Sequence, residues 1–234
     1  MARVICLVGA GGKSTIMYEL AAKYARKGKK VLVTTSTHIW EPKSFYASNV
    51  AETRALWKDG CYAVVGQREA GTGKLVGLLE DELKQYEAEA DVVLVEADGA
   101  KSKPCKVPRA GEPVILPECD TVVGVVGLDA LGCGIESACF RVDEVCALLG
   151  VTAEHVLTEA DLAKILLSEQ GTRKAIGTRK YYVVLNKCDN AALLKKAAVI
   201  KELLISKVMK KEQIIIRGDL PLRKDNISID SIYI

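Results

Sequence analysis

The sequence predicts an α/β fold in which a mostly parallel β-sheet is flanked by helices. Apolar runs of strand length alternate along the chain with segments of helical periodicity, which is the pattern that parallel sheets with crossover helices produce. The strand-like runs are nearly continuous in valine, isoleucine and leucine, as expected where both faces of a sheet are covered. With 234 residues, 49% of them hydrophobic, the chain is long enough to bury a substantial core.

The individual elements follow this alternation in order. Aliphatic runs predict strands at 4–8, 31–34, 62–66, 92–96, 122–126, 181–185 and 214–216. Apolar residues at helical spacing predict helices at 14–27, 51–58, 80–89, 142–149, 159–169 and 191–207, and Gly28 ends the first of them. Segments 35–48 and 98–118 are predicted as loops, the second because of its prolines. We therefore expect a single domain over 1–234, with a long loop at 98–118 and a helical insertion at 127–180.

The amino-acid composition indicates which kinds of partner and which cellular compartment to expect. The formal charge is +3, from 33 basic and 30 acidic residues, which is too near neutral for nucleic acid to be the main partner. No apolar run reaches the roughly 18–20 residues that span a bilayer, so no membrane segment is expected. The eight cysteines include no C-x-x-C pair, and the N-terminus has no signal-peptide pattern. These features predict a cytoplasmic protein with free thiols.

A glycine-rich loop joins the first predicted strand to the first helix. Its residues are Gly9, Ala10, Gly11, Gly12, Lys13, Ser14 and Thr15. Glycines let backbone N–H groups aim at a phosphate, and the helix start adds partial positive charge. Lys13 would reach the terminal phosphates as a catalytic residue, and the Ser14 hydroxyl would bind Mg²⁺. The loop therefore predicts a P-loop NTPase that binds a nucleoside triphosphate.

This loop departs from the usual G-x-x-x-x-G-K-[ST] pattern, because Leu7 stands where the first glycine is expected. The shorter form resembles the loops of metallochaperone GTPases, ParA-like ATPases and Mur ligases. One alternative is a dinucleotide loop, G-x-G-x-x-G, but its third glycine would be Ser14, and the second strand ends without an acid for a ribose hydroxyl. The other alternative is a glycine-rich turn without a ligand.

The strand predicted at 181–185 runs into a candidate base-binding loop. Asn186, Lys187 and Asp189 match the N-K-x-D motif of GTPases. The Asp189 carboxylate would accept from guanine N1 and N2, while Asn186 and the Lys187 stem would brace the loop and cover the ring. Adenine lacks those donors and would leave the carboxylate unpaired. The motif favours GTP over ATP, and the alternative is a polar turn in which Asp189 caps the next helix.

Acidic residues at the end of the strand predicted at 92–96 form a candidate metal site. Glu96 is the predicted Mg²⁺ ligand, and Asp98 is a catalytic candidate that would orient a water molecule. The N–H of Gly99 would meet the γ-phosphate, as in the D-x-x-G element of GTPases. The alternative is that Asp98 and Gly99 form an ordinary turn.

Two further groups of polar residues follow predicted strands. Thr37 would complete the Mg²⁺ shell, and His38 would position a water molecule or contact substrate as a third catalytic candidate, the alternative being a solvated histidine. Basic residues cluster in the loop after the acidic turn: Lys101, Lys103, Lys106 and Arg109. They would bind an anionic second substrate, such as a phosphorylated cofactor, or else lie on a solvated loop.

Taken together, these motifs resemble the YqeC-like family, which is associated with selenium-dependent molybdenum hydroxylases. The resemblance runs from the first strand to Asp189. It is carried by Val8–Thr15, by 33–39, by 73–78, by 96–100 and by 112–114. The resemblance implies a P-loop fold and an accessory role in maturation of those hydroxylases or of their cofactor.

From the residues and the resemblance together we expect a slow nucleoside triphosphatase or a phosphoryl-transfer enzyme that uses Mg²⁺ and GTP (or ATP). The resemblance implies the molybdenum cofactor, a selenium species or an apo-hydroxylase as further partners, and a homodimer is among the expected assemblies. Two alternatives stay open. One is a nucleotide-gated chaperone or binding protein without small-molecule chemistry of its own, and the other is a Mur-like ATP-dependent ligase.

Overall fold

A computed structural model describes residues 2–218, in which each predicted strand and helix is present and further short strands are added. The strands are β1 (Arg3–Gly9), β2 (Val31–Thr35), β3 (His38–Trp40), β4 (Ala63–Val64), β5 (Gln67–Glu69), β6 (Lys74–Val76), β7 (Val92–Glu96), β8 (Cys105–Lys106), β9 (Thr121–Gly127), β10 (Cys139–Phe140), β11 (Lys180–Asn186) and β12 (Ile214–Ile216). The α-helices are α1 (Lys13–Arg26), α2 (Val50–Lys58), α3 (Glu80–Glu87), α4 (Ile135–Ala138), α5 (Val142–Leu149), α6 (Glu159–Leu167) and α7 (Ala191–Ile205).

Within residues 2–218, the main sheet has seven strands in the order β12–β11–β9–β1–β7–β2–β4. The pairs β1–β7, β2–β7, β2–β4 and β11–β12 are all parallel. In their registers Leu7 and Thr35 both lie opposite Glu96, so the carboxyl ends of β1, β2 and β7 meet at one edge. The predicted α/β fold, a mostly parallel sheet flanked by helices, is confirmed.

The described chain divides into two compact units, and the first contains 2–7, 13–99 and 114–121. Its core is built on β7 and β2, against which α1 packs with an apolar face that includes Ile16, Met17 and Leu20. These side chains follow the three- and four-residue spacing that puts them on one face of a helix. A small antiparallel sheet, β3–β6–β5, also belongs to this unit.

The second unit contains 8–12, 100–113 and the described residues from 122 onward. Strands β11 and β12 belong to it, as does β9 from Val122 onward, and α6 packs against α7. Strands β8 and β10 form a separate parallel pair, in which Cys105 lies opposite Cys139 and Lys106 opposite Phe140. Segment 127–180 carries α4, β10, α5 and α6.

Two segments predicted as loops contain short strands. β3 lies within 35–48 and β8 lies within 98–118. Each strand has only two or three residues, which is too short for the alternation that marks a strand in a sequence. None of the helices in residues 2–218 has the length and apolar composition needed to cross a bilayer.

Candidate functional site

A buried cluster of one lysine and two carboxylates lies in the first unit, at the start of α1. The Lys13 Nζ atom is 3.2 Å from Oδ1 of Asp98 and 3.8 Å from Oε1 of Glu96. All three side chains are buried, with Lys13 only 3% exposed. Glu96 ends β7 and Lys13 follows β1, and these two strands are neighbours in the sheet. The topology therefore brings together three residues that are far apart in the sequence.

Ser14 extends this cluster with a hydroxyl group. Its Oγ donates to Oε2 of Glu96 at 2.6 Å. Burial raises the pKa of Glu96, and the Asp98 carboxylate adds to this, whereas Lys13 and the Ser14 hydroxyl oppose it. A hydroxyl and a carboxylate oxygen in contact, with a second carboxylate beside them, are the hard oxygen donors that Mg²⁺ takes. The residues present therefore fit the predicted metal.

Thr35 ties the end of β2 to the same edge of the sheet. Its hydroxyl donates to the carbonyl oxygen of Glu96 at 2.8 Å and accepts from the backbone N–H of Thr37 at 3.0 Å. The two threonine hydroxyls are 3.4 Å apart. The predicted metal residue Thr37 is thus held, through Thr35, near the strand that ends in Glu96. Thr35 belongs to the run of hydroxyl residues that follows the predicted strand, but only Thr37 of that run is a predicted metal ligand.

His38 has a different environment. It is exposed on β3, with Nε2 3.4 Å from Oε1 of Glu69 on β5. This contact belongs to the small antiparallel sheet, so the structure does not bring His38 together with Lys13 and Asp98 through a described contact. An exposed histidine beside a carboxylate is an ordinary surface pair. A catalytic role for His38 remains a sequence-based prediction.

Tyr18 is a neighbour of the acidic cluster that sequence reasoning missed. Burial raises the pKa of its phenol to about 12, with further contributions from the charges of Glu96 and Tyr62. Tyr18 also stacks on Tyr62 with ring centroids 6.1 Å apart. It lies one helical turn after Ser14, and that four-residue spacing was the signal in the sequence.

The glycine turn lies in the second unit and is tightly packed. The N–H of Ala10 donates to the Val125 carbonyl at 2.9 Å, and that of Gly11 donates to the Lys103 carbonyl at 3.1 Å. These two N–H groups are therefore bonded to protein, which differs from the expectation that they aim at a phosphate. Such loop carbonyls satisfy donors that burial would otherwise leave unpaired. Gly9, like Gly11, has a positive φ.

Gly12 and Asn186 fit closely together. Gly12 has a φ of +113°, and a Cβ atom added to it would lie 2.4 Å from Nδ2 of Asn186. The buried Asn186 side chain donates from Nδ2 to the Gly11 carbonyl at 2.6 Å and accepts from Nη1 of Arg217 at 2.7 Å. Both ends of this amide are thus used to brace the turn. Arg217 was not predicted, because nothing in its local sequence marks it.

The remaining residues of the predicted base-binding loop are more exposed. Lys187 has a left-handed φ of 59°, and its Nζ atom contacts Oδ2 of Asp129 at 2.7 Å. Asp189 is exposed. The helix that follows is capped by Asn190, whose Oδ1 accepts from the N–H of Leu193 at 2.9 Å. The alternative in which Asp189 caps that helix is therefore wrong.

Ser14, Thr15 and Gly99 are predicted nucleotide contacts that are not deeply buried. Ser14 and Thr15 are exposed in the first turn of α1, where N–H groups have no intrahelical acceptor. Gly99 is half-buried, and a Cβ atom added there would meet no atom within 4 Å. The conformation of Gly99 does not require a glycine, so only its N–H group is of interest.

Comparison with known proteins gives the family. A family model described as "YqeC protein" matches residues 5–143, which is more than half of the chain. The chain belongs to the YqeC family. This YqeC-family chain is 28% identical over 200 residues to the protein YqeC of Escherichia coli (strain K12), covering 80% of itself and 78% of that protein.

Two solved structures match the chain at low sequence identity. The MinC:MinD cell division protein complex of Aquifex aeolicus matches with 16% identity and a TM-score of 0.46, over 94% of this chain and 83% of that chain. A ParA family ATPase from Chlorobium tepidum TLS matches with 13% identity and a TM-score of 0.40, over 96% of this chain and 85% of that chain.

Proposed function

We propose that this YqeC-family protein binds a nucleoside triphosphate with Mg²⁺ and hydrolyses it slowly. The observation that carries the proposal is the buried contact of Lys13 with Glu96 and Asp98, next to the Ser14 hydroxyl. A lysine at the start of a helix, after a glycine turn, is the group that neutralises terminal phosphates in P-loop proteins. Burial of such a lysine is unfavourable unless anions surround it, and here the two carboxylates fill that role.

Each residue of the cluster has a distinct part in the proposal. Ser14, Glu96 and Thr37 would hold Mg²⁺, which supplies positive charge that neutralises the phosphates. Lys13 would exchange part of its contact with the carboxylates for contact with the terminal phosphate oxygens. Asp98 would then accept a hydrogen bond from an attacking water molecule and orient it. The N–H groups at the first turn of α1 would bind phosphate oxygens.

For the base we propose guanine, with adenine as the competing choice. Support comes from the exposure of Asp189 and from the braced position of the residues before it. Asn190, rather than Asp189, is the N-cap residue of α7. A carboxylate that accepts from guanine N1 and N2 would favour GTP, since adenine lacks both donors.

Phosphate release from GTP and ATP, with and without Mg²⁺, tests the enzymatic part. Glu96→Gln should raise the Mg²⁺ concentration needed, because the variant lacks the ligand charge. Asp98→Asn should lower turnover with little change in the Mg²⁺ requirement. If neither variant alters rate or metal dependence, the acidic turn has only a structural part. Hydrolysis seen only with an added partner would favour the nucleotide-gated chaperone instead.

We also propose that the protein acts in maturation of selenium-dependent molybdenum hydroxylases or their cofactor. Membership of the YqeC family and the resemblance of the motifs support this role. The test deletes the gene from a host that makes such a hydroxylase and restores it as wild type, as Lys13→Met or as the exposed control Lys29→Met. Hydroxylase activity and selenium content should return with the wild type and the control but not with Lys13→Met. Full activity and selenium content in the deletion strain would exclude the role.

A further inference from the structure

Three cationic side chains surround one aromatic ring in the second unit, and we name Lys101, Lys106, Arg141 and Phe140 the Phe140 cluster. The Nζ atoms of Lys101 and Lys106 lie 5.4 and 5.8 Å from the Phe140 ring centroid. The guanidinium carbon of Arg141 lies 4.4 Å from it. The ring is placed there by the pairing of β8 with β10, in which Lys106 is opposite Phe140. The tertiary structure thus brings Arg141 and Phe140 next to basic residues that the sequence already marked as a cluster.

One carboxylate contacts most of these cations. Glu112 lies 2.9 Å from Nζ of Lys106 and 3.0 Å from Nη2 of Arg141, and 3.5 Å from Nε of Arg109. A single negative charge is therefore shared by three positive ones, while Lys101 contacts the ring. Cation–π contacts offset some of the repulsion among the cations, but they supply no countercharge. Lys106 is buried, so the alternative of a wholly solvated basic loop is wrong for this residue.

Two further features of the Phe140 cluster indicate a ligand site: unusual backbone angles and one buried donor atom without an acceptor. Lys101, Ser102 and Arg141 have φ values of 45°, 59° and 68°, a region that residues other than glycine rarely adopt. Such strain is held in place by its surroundings and concentrates at ligand sites. The Nε atom of Arg141 is buried and has no hydrogen-bond acceptor within residues 2–218. An anion that reached Arg141 would satisfy this donor.

We propose that the Phe140 cluster binds the phosphate group of a phosphorylated small molecule. The cations converge on one ring, which suits a compact anion with several negative oxygens. Nucleic acid would need a basic stripe along its backbone, and the chain is too near neutral overall to supply one. The neighbouring Lys103 carbonyl accepts from the N–H of Gly11, so the segment that carries Lys101 is bonded to the glycine turn. The proposal stands without the nucleotide assignment, because its residues are separate from Lys13 and Ser14.

The phosphate could belong to a separate molecule or to a bound nucleotide, and one titration distinguishes the two sources. Inorganic pyrophosphate is titrated calorimetrically into the full chain, without nucleotide and with saturating GTP and Mg²⁺, as wild type, Lys101→Gln, Arg141→Gln and Arg141→Lys. Lys195→Gln is the matched control, since Lys195 is an exposed lysine on α7 of the same unit. Circular dichroism of each variant checks that the fold is retained.

We expect pyrophosphate affinity to fall about tenfold or more in Lys101→Gln and Arg141→Gln, because each loses a charge-assisted contact. The pyrophosphate affinity of Arg141→Lys should lie between those of the wild type and Arg141→Gln. Lysine keeps the positive charge but lacks the planar, forked set of donors of a guanidinium group. Lys195→Gln should bind like the wild type. Equal affinity in the wild type and both glutamine variants would overturn the proposal. So would absence of binding to the wild type, or binding that disappears when GTP and Mg²⁺ are present, which would assign the phosphate to the bound nucleotide.

Discussion

The ammonium nitrogen of Lys13 lies 3.2 Å from a carboxylate oxygen of Asp98, and both side chains are buried. A buried ion pair depends on both partners, because removing one leaves the other charge without a counterion in a poorly solvating interior. Glu96 makes the cluster asymmetric, with two carboxylates for one ammonium group. Two carboxylates beside one ammonium group leave excess negative charge in a buried place, which is unfavourable without a ligand. That excess negative charge would favour binding of a divalent cation.

Replacing Lys13 tests this cluster directly. Lys13→Met should destabilise the fold by about 3–5 kcal/mol, the usual result of breaking a buried pair, and should abolish triphosphate binding. The double variant Lys13→Met with Asp98→Asn should recover much of the stability but none of the binding. Urea denaturation and calorimetry measure the two effects, with Lys29→Met as the exposed control. Triphosphate affinity that survives in either variant would contradict the assigned part of Lys13.

Glu96→Gln should separate stability from metal binding. Burial raises the pKa of Glu96, so its ionised form is less favourable in the folded chain than in the unfolded one. The folded protein is therefore most stable when Glu96 is protonated. This stability is lost as the pH rises from the ordinary pKa of 4.5 through the higher pKa that Glu96 has in the folded chain. The ligand-free variant should melt at or above the wild-type temperature at neutral pH, and below pH 4.5 the two should converge. A variant that is less stable than wild type at every pH would contradict this account.

Gly12→Ala should damage the glycine turn more than Gly28→Ala does. Both glycines have positive φ, at +113° and +76°, so each alanine introduces backbone strain of about 1–2 kcal/mol. Only at Gly12 would the new Cβ atom also meet a side chain, Nδ2 of Asn186 at 2.4 Å; at Gly28 it meets nothing within 4 Å. Urea denaturation should show the larger loss for Gly12→Ala. Equal losses would mean that Asn186 moves away freely and does not brace the turn.

Asp189→Asn should weaken GTP binding by about 2–4 kcal/mol and leave ATP binding nearly unchanged, because only guanine donates to the carboxylate. The exposed Asp143 of the same unit provides a control, as Asp143→Asn. Competition between the two nucleotides for a fluorescent analogue measures both affinities. A parallel loss for GTP and ATP, or a wild type that prefers ATP, would exclude guanine specificity.

Much of the fold could be predicted because the main strands and several helices carry strong local patterns. β7, β12 and α5 have the predicted bounds, since each is an unbroken aliphatic run or a clear helical repeat. The short pair β8–β10 could not be predicted, because it joins Cys105 to the sequence-distant Cys139 and neither segment has a periodicity. Pairing over such a distance is decided by tertiary packing rather than by local sequence.

The candidate site shows the same division. Glu96 and Asp98 meet Lys13 because β1 and β7 are adjacent parallel strands, and ligand sites lie at the carboxyl ends of such strands. That rule is available from the sequence. The bracing of Asn186 by Arg217 is not available, because it depends on the pairing of β11 with β12, which local sequence does not specify.

The most direct test of the central claim is a calorimetric titration of the full chain with GTP, ATP and CTP, each with and without Mg²⁺. We expect saturable binding of GTP that is strengthened by Mg²⁺, weaker binding of ATP and the weakest binding of CTP. Lys13→Met should abolish the heat of GTP binding, while Lys29→Met should leave it intact. Failure of every triphosphate to bind the wild type with Mg²⁺ present would contradict the nucleotide-binding assignment itself.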